Sequence, residues 1–356
     1  MVVQNKGALL VRGMVFLIAA ALLFAPFLFQ DVRSLEVAAR ICVFIVLVGS
    51  YDLLIGYTGI VSFAHTMFFG FGAYGAAISL KQMGPGWDAV LVGGVAGLVL
   101  SIVAAVGIGL LSLRVKAIFF AMITLAAASV MMVLASQLSD FTGGEDGITY
   151  RAPDLFKTAN KLMVDADGKV VRLAGVKLNG KLAAYYFVFL TSIALFALML
   201  RLTVSPFGTV LKSIRENEAR AEAIGYRVVA YRTAVFVFTA CIASIAGTVY
   251  AIWLKYTGPD TALSFAIMID ILLMVVIGGM GTMWGAVIGA VLLVMAQYYL
   301  RDLMGSAAAA LADVPLLPQV LDPDRWLFWL GIIFILLVYF FPKGIAGTII
   351  DKGAAK

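Results

Sequence analysis

The sequence predicts an all-α polytopic membrane protein of about ten transmembrane or partly spanning helices with a small exported β-hairpin insertion. Three observations lead there. Of the 356 residues, 63% are hydrophobic and 13% charged, against roughly 45–50% apolar in ordinary soluble domains. The apolar residues gather into runs near the 20 or so residues needed to cross a bilayer, and the mean hydropathy of the whole chain is +1.04. The net charge of +6 is scattered over short connections and forms no long basic patch with interleaved aromatics. The basic residues therefore act as topology signals, and no nucleic-acid partner is expected.

Taken in order, Lys6 and Arg12 precede an apolar run from Gly13 to Phe29. It exceeds the usual signal-peptide core of about 7–15 residues and lacks a clear cleavage site, so it reads as an uncleaved first span. Further spans are expected at 41–56, 62–80, 89–113, 117–138, 183–200, 233–254, 264–280, 284–300 and 326–341, with the first at 10–30. Gly56 to Gly59 and Gly278 to Gly285 are either loops or breaks inside re-entrant or discontinuous helices. The chain divides into membrane helices at 1–138, an extracytoplasmic insertion at 139–182, and membrane helices at 183–356 that include a cytoplasmic loop at 201–232. That loop carries Arg201, Lys212, Arg215, Arg220, Arg227 and Arg232 against Glu216, Glu218 and Glu222. The positive-inside rule puts it in the cytoplasm, and counting spans outwards puts Lys6, Arg12, Arg114, Lys116 and Lys343 there too. The same count exports Ser139 to Lys181. Within it "MVDADGKVVRL" alternates around Asp167-Gly168, a type I′ turn pair, and predicts a hairpin. Its "DADG" is too short for an EF-hand calcium loop.

Several motifs bear on chemistry. In "SIRENEARAEAIGYRVVAYR", Ser213 to Arg232, Glu216 and Arg220 form an i,i+4 pair and Gly225 supplies a stop, which predicts one short helix. Leu211, Ile214, Ala221 and Ile224 fall on one narrow arc of it, suited to a shallow groove. "GFGAYG", Gly70 to Gly75, matches the dinucleotide fingerprint formally but lacks a strand-to-helix setting. Small residues there, and at Gly281, Gly285 and Gly289, let helices approach closely. His65 is the sole histidine, and Cys42 and Cys241 sit isolated in apolar runs, so neither a zinc site nor a disulfide framework is expected. His65 is either a hydrogen-bonded packing residue or part of a conduction route. Asp52 and Asp270 are acids within spans, at a cost of roughly 2.5–3.5 kcal/mol at mid-span unless they face a cavity or partner. No GxxxxGK[ST] loop occurs, so no Walker-type nucleotide site or other cofactor is expected in this chain, and its energy source must lie elsewhere.

The run "IRENEARAEAIGYRVVAYRTAVFVFTACIASIAGTVYA" resembles the EAA-type coupling loop of ATP-binding-cassette importer permeases, and its flanks resemble branched-chain amino acid permeases of the LivM/LivH type, most nearly LivM. "GYTGIVSFAHTMFFGFGAYGAA" (Gly56 to Ala77), "FTGGEDGIT" (Phe141 to Thr149), "VVIGGMGTMWGAVIGA" (Val275 to Ala290) and "FPKGIAG" (Phe341 to Gly347) extend the resemblance along most of the chain. The region 150–182 is left unexplained by it. The resemblance implies a permease subunit of an importer for branched-chain or other hydrophobic amino acids in a bacterial inner membrane, multi-pass, with both termini cytoplasmic. Its ATPase-coupling residues would be Arg215, Glu216, Arg220, Ala221, Glu222 and Gly225. Candidate substrate-path residues are Asp52, Gly59, Ser62, His65, Gly279 and Gly281. The implied partners are two ATPase subunits, a second homologous permease subunit, an extracytoplasmic solute-binding protein and membrane lipid; no catalytic residue is expected. Import of urea or short amides is the nearest alternative substrate class, and an ion-coupled secondary transporter using Asp52 or Asp270 is an alternative of a different kind.

Overall fold

The computed structural model describes residues 6–29, 31–112, 117–158, 160, 172–173, 176–310 and 322–354. The chain begins with helices α1 (Lys6–Leu28), α2 (Val32–Thr58), α3 (His65–Met83), α4 (Trp87–Ser112) and α5 (Ala117–Gln137). A polar stretch follows with α6 (Ser139–Thr142), β1 (Ile148–Thr149), β2 (Arg172–Leu173) and β3 (Val176–Lys177). Then come α7 (Gly180–Thr203), α8 (Pro206–Glu216), α9 (Glu218–Ala223), α10 (Val228–Leu254), β4 (Tyr256–Thr257) and α11 (Pro259–Ala262). The described chain closes with α12 (Phe265–Gly278), α13 (Met283–Ala310), α14 (Trp326–Phe340) and α15 (Gly344–Ala354).

Each of the ten expected spans has its helix. Nine segments of the described residues are long and apolar enough to cross a membrane, and α3 is not among them. The reason lies in its surroundings: α3 packs on both α4 and α10, and most of its side chains are buried in protein. A helix shielded from lipid has no need of a uniformly apolar surface. Helix α2 is likewise buried along most of its length and touches α7, α10, α12 and α13. By contrast α14 buries no residue fully.

Glycine sets how closely these helices meet. A Cβ added at Gly72 would land on the Ser244 carbonyl oxygen, one at Gly247 on the Phe69 carbonyl, and Gly75 and Gly93 face each other backbone to backbone. Thus α3, α4 and α10 form a block at near-minimal separation, as small residues permit. Thr248 Oγ1 adds a 3.1 Å bond to the Gly72 carbonyl. Gly285 and Gly289 pack α13 on the Gly278 and Met274 carbonyls of α12. Gly281 does not share their helical face, contrary to the four-residue spacing, because it precedes α13 in a turn at φ 82°, in the left-handed region that glycine adopts freely.

Pro26 lies inside α1. Proline has no N–H, so the Leu22 carbonyl loses its helical donor. The Tyr185 hydroxyl donates to that carbonyl at 2.5 Å, which ties the start of α7 to the end of α1.

At that end of the bundle β1 pairs antiparallel with β4, Ile148 opposite Thr257, and the Tyr150 hydroxyl bonds Ala251 O and Thr257 Oγ1, each at 2.9 Å. The polar stretch is thereby stitched to the end of α10. A hairpin is present, with Arg172 paired to Lys177 and Leu173 to Val176. This hairpin turns between residues 173 and 176 and is not the one expected; the Asp167-Gly168 turn lies outside the described residues, as do Arg114 and Lys116.

A packing test follows. Gly72→Ala, aimed at backbone of the next helix, should destabilise the protein by about 1–3 kcal/mol, whereas Gly107→Ala, with nothing within 4 Å, should be neutral. Thermal unfolding in detergent, followed by size-exclusion chromatography, measures both.

Candidate functional site

The segment between α7 and α10 forms two helices and not one. Ser205 caps α8, its hydroxyl accepting from Gly208 N at 3.3 Å, and Pro206 occupies the first turn, where a missing N–H costs nothing. The helix stops at Asn217, whose backbone is extended (φ −157°, ψ 99°). Its side chain accepts from Arg220 N at 2.9 Å and restarts the chain as α9. Asparagine suits this break because its short amide competes with the helical backbone. The expected single helix and its Glu216–Arg220 pair are therefore corrected. The ion pair formed here is Glu218 with Arg232, doubly bonded at 2.6 and 3.0 Å.

The expected apolar docking arc is also corrected. Leu211, Ile214 and Ala221 are buried; Ile214 and Ala221 join Val210, Val228 and Tyr231 in a small cluster of their own. Ile224 alone of the four stays exposed. What this segment offers outwards is charged: Arg215, Glu216, Arg220 and Glu222 are exposed, as is Gly225, which ends the turn at φ 97°.

Arg215 joins the segment to the bundle. Its Nη1 donates to the Gly56 carbonyl in the last turns of α2. Lys212 lies over the Tyr57 ring, 5.2 Å from its centroid. Immediately beside this contact, Asp52 Oδ1 accepts from Gly281 N at 2.7 Å. The two glycines admit no side chain: a Cβ on Gly281 would come within 2.7 Å of Arg215 Nη1, and one on Gly56 would fall on both Asp52 Oδ1 and Gly281 N. Gly59, in the left-handed region at φ 72°, ends α2 beside Arg215 Cγ.

Three candidate path residues, Asp52, Gly59 and Gly281, thus meet one candidate coupling residue, Arg215. The carboxylate is buried, 1% exposed, and its Oδ2 has no partner among the described residues. An acid there is tolerable because an N–H donates to it and a guanidinium lies close by.

The remaining path residues separate into two places. His65 Nε2 lies 3.0 Å from Ser50 Oγ, and that hydroxyl donates to Leu47 O at 2.8 Å. The ring's tautomer sets which of the two atoms donates across that contact. Its Nδ1 is buried and has no partner among the described residues, and Tyr51 meets the ring edge-on at 5.1 Å. Ser62 is buried and accepts from Ala64 N at 3.2 Å. Gly279 packs against Lys343 O and Gly347 N at the start of α15. Asp270 stands apart from all of these, in a cavity wall with Arg40 and Gln297.

Gly281 and Tyr57 also line an open cavity of about 440 Å³ with Arg12, Arg201 and Lys212. Gly7 packs on Ile349, so the first turn of α1, α15 and the α8–α9 segment share one end of the bundle. The sequence reading missed Gly56, Lys212 and Asn217. The i,i+4 spacing of Asp52 and Gly56 hinted that one helix face carries both groups; nothing in the sequence pairs that face with Arg215.

The chain was compared with known proteins. Residues 34–338 match the family model described as branched-chain amino acid transport system / permease component. The high-affinity branched-chain amino acid transport system permease protein LivM of Salmonella typhimurium is 26% identical over 88% of this chain and 75% of its own length. The protein of the same name in Escherichia coli is 25% identical over the same shares. A probable branched-chain amino acid transport permease protein LivM of Methanocaldococcus jannaschii is 30% identical over 41% of each chain. No solved structure matches. A multi-helix membrane bundle whose matched region runs through α2, α8–α9 and α13 leaves one assignment: this chain belongs to the family of permease components of branched-chain amino acid transport systems.

Proposed function

We propose that this chain is a permease subunit of an ATP-binding-cassette importer and that it carries branched-chain or other hydrophobic amino acids inwards across a bacterial inner membrane. The observation that carries the reading is the Arg215–Gly56 bond beside the Asp52–Gly281 bond. It makes α8–α9 a handle on the membrane bundle. Two ATPase subunits would grip the charged face of Glu216, Arg220 and Glu222 and supply the energy, with Arg215 passing the motion to the bundle; ATP and magnesium would be theirs. A second permease subunit would complete the pathway, and a solute-binding protein would deliver substrate to the opposite end. The excess of Lys and Arg at the α8–α9 end supports a cytoplasmic placement for it and for both termini.

The mechanism is a population shift between two arrangements of the bundle. Closure of the ATPase pair displaces α8–α9. Arg215 transmits that displacement to the last turns of α2, and Asp52 passes it through Gly281 to the turn before α13. The buried cluster of Val210, Ile214, Ala221 and Val228 keeps α8 and α9 moving as one body despite the break at Asn217.

Two tests separate the parts of this reading. Glu222→Lys, a charge reversal on an exposed residue, should abolish ATPase association and amino-acid uptake while the chain still inserts, read by co-purification and vesicle uptake. Amino-acid uptake by the purified chain alone, driven by an ion gradient, would defeat the importer reading. Arg215→Ala should leave ATPase association and basal ATP hydrolysis in place but lower uptake per ATP by about tenfold, the equivalent of one charge-assisted hydrogen bond. Unchanged stoichiometry would remove Arg215 from the coupling route.

A further inference from the structure

At the end of the bundle away from α8–α9 lies a cavity of about 260 Å³, somewhat below the roughly 300–1,000 Å³ of pockets for drug-sized ligands. It is the scale of one small metabolite. Its wall holds Glu36 and Arg40 from α2, Lys181 from α7, Tyr250 and Trp253 from α10, and Lys255 just beyond α10. Three cations face one acid. Glu36 is matched by Lys181, 3.8 Å away; among the described residues neither Arg40 nor Lys255 has an ion pair within 4.0 Å. Arg40 Nη1 donates to the Tyr298 hydroxyl at 3.0 Å, and its Nε is buried without a partner among the described residues.

Lys255 adds a second, independent sign. It caps α10 at φ 60° and is the one described residue other than glycine with positive φ. Helix ends of this kind ordinarily take glycine or asparagine, and a strained position held by a long cation points to a use for that cation. Burial, and then the nearby charge of Lys181, hold the Lys255 ammonium below its ordinary value; an anion between them would offset both effects. Lys181 lies 6.0 Å from the Trp253 ring centroid, so the cations and the aromatic wall border the same space.

We propose that this cavity is an amino-acid binding site: Arg40 and Lys255 take the carboxylate, Glu36 takes the ammonium, and Trp253 with Tyr250 takes the apolar side chain. The site rests on the importer reading for its choice of ligand and stands at the end where substrate would enter. It is a binding station and involves no bond making or breaking.

The test uses the permease–ATPase complex without its solute-binding protein, in phosphatidylcholine nanodiscs so that no anionic headgroup competes, with radiolabelled L-leucine as the probe. Leucine should bind saturably, and leucinamide, which lacks the carboxylate, should fail to compete. Lys255→Asn keeps a residue at ease in the left-handed region and should weaken binding about tenfold or more, as should Arg40→Gln. If Arg40→Gln fails to assemble, Lys255→Asn decides alone. Saturable binding absent from a complex that imports leucine, an assembled variant binding as tightly as wild type, or leucinamide competing equally with leucine would each overturn the site. ATP-driven uptake by the complete wild-type system is measured in parallel. Its absence would count against the importer reading, while the binding arm still decides the site.

Discussion

A protein wall gives a backbone carbonyl or amide no water to turn to, so each one must find its partner inside the fold. The junction of α2 with the turn before α13 meets that demand in a reciprocal way. Asp52 supplies an acceptor to the Gly281 N–H, and Arg215 supplies a donor to the Gly56 carbonyl. Both glycines are required by the lack of space between the two bonds. The position of α8 relative to the bundle follows from this junction, and with it the placement of every charged side chain that α8 and α9 present.

Helix α2 is the shared member of two tightly packed groups. On one side it contacts α10, which is locked to α3 and α4 through glycine; on the other it contacts α12 and α13, which are locked to each other through Gly278, Gly285 and Gly289. Groups packed at backbone distance move as units, because close-packed interiors resist continuous deformation. A force applied at the end of α2 therefore reaches both groups at once.

Much of this was legible in the sequence. Apolar runs located the helix of each of the ten expected spans, and the spacing of Gly70 to Gly75 foretold close packing. What stayed hidden was anything set by a partner distant along the chain. Asn217 reads as one more polar residue until its amide is seen capping Arg220. Ile224 looks equivalent to Ile214 by periodicity, yet the break between them turns one outwards and the other inwards. Gly281 fits a four-residue glycine pattern, but the turn before α13 takes it for a different purpose. Asp52 was correctly marked as an acid needing a partner; that the partner is an amide more than 200 residues later is tertiary information that no local pattern carries.

Helix α3 has a consequence for how the chain reaches the bilayer. Its His65, Lys81 and Gln82, and a hydropathy that leaves it outside the self-sufficient segments, give it little tendency to partition into lipid unaided. It enters as a passenger. Its retention relies on the strongly apolar α4 emerging from the ribosome soon afterwards and on α10 arriving much later to close the other flank. Until that closure its polar atoms need temporary shelter, so biogenesis of this bundle is at its most exposed while the first half waits for the second.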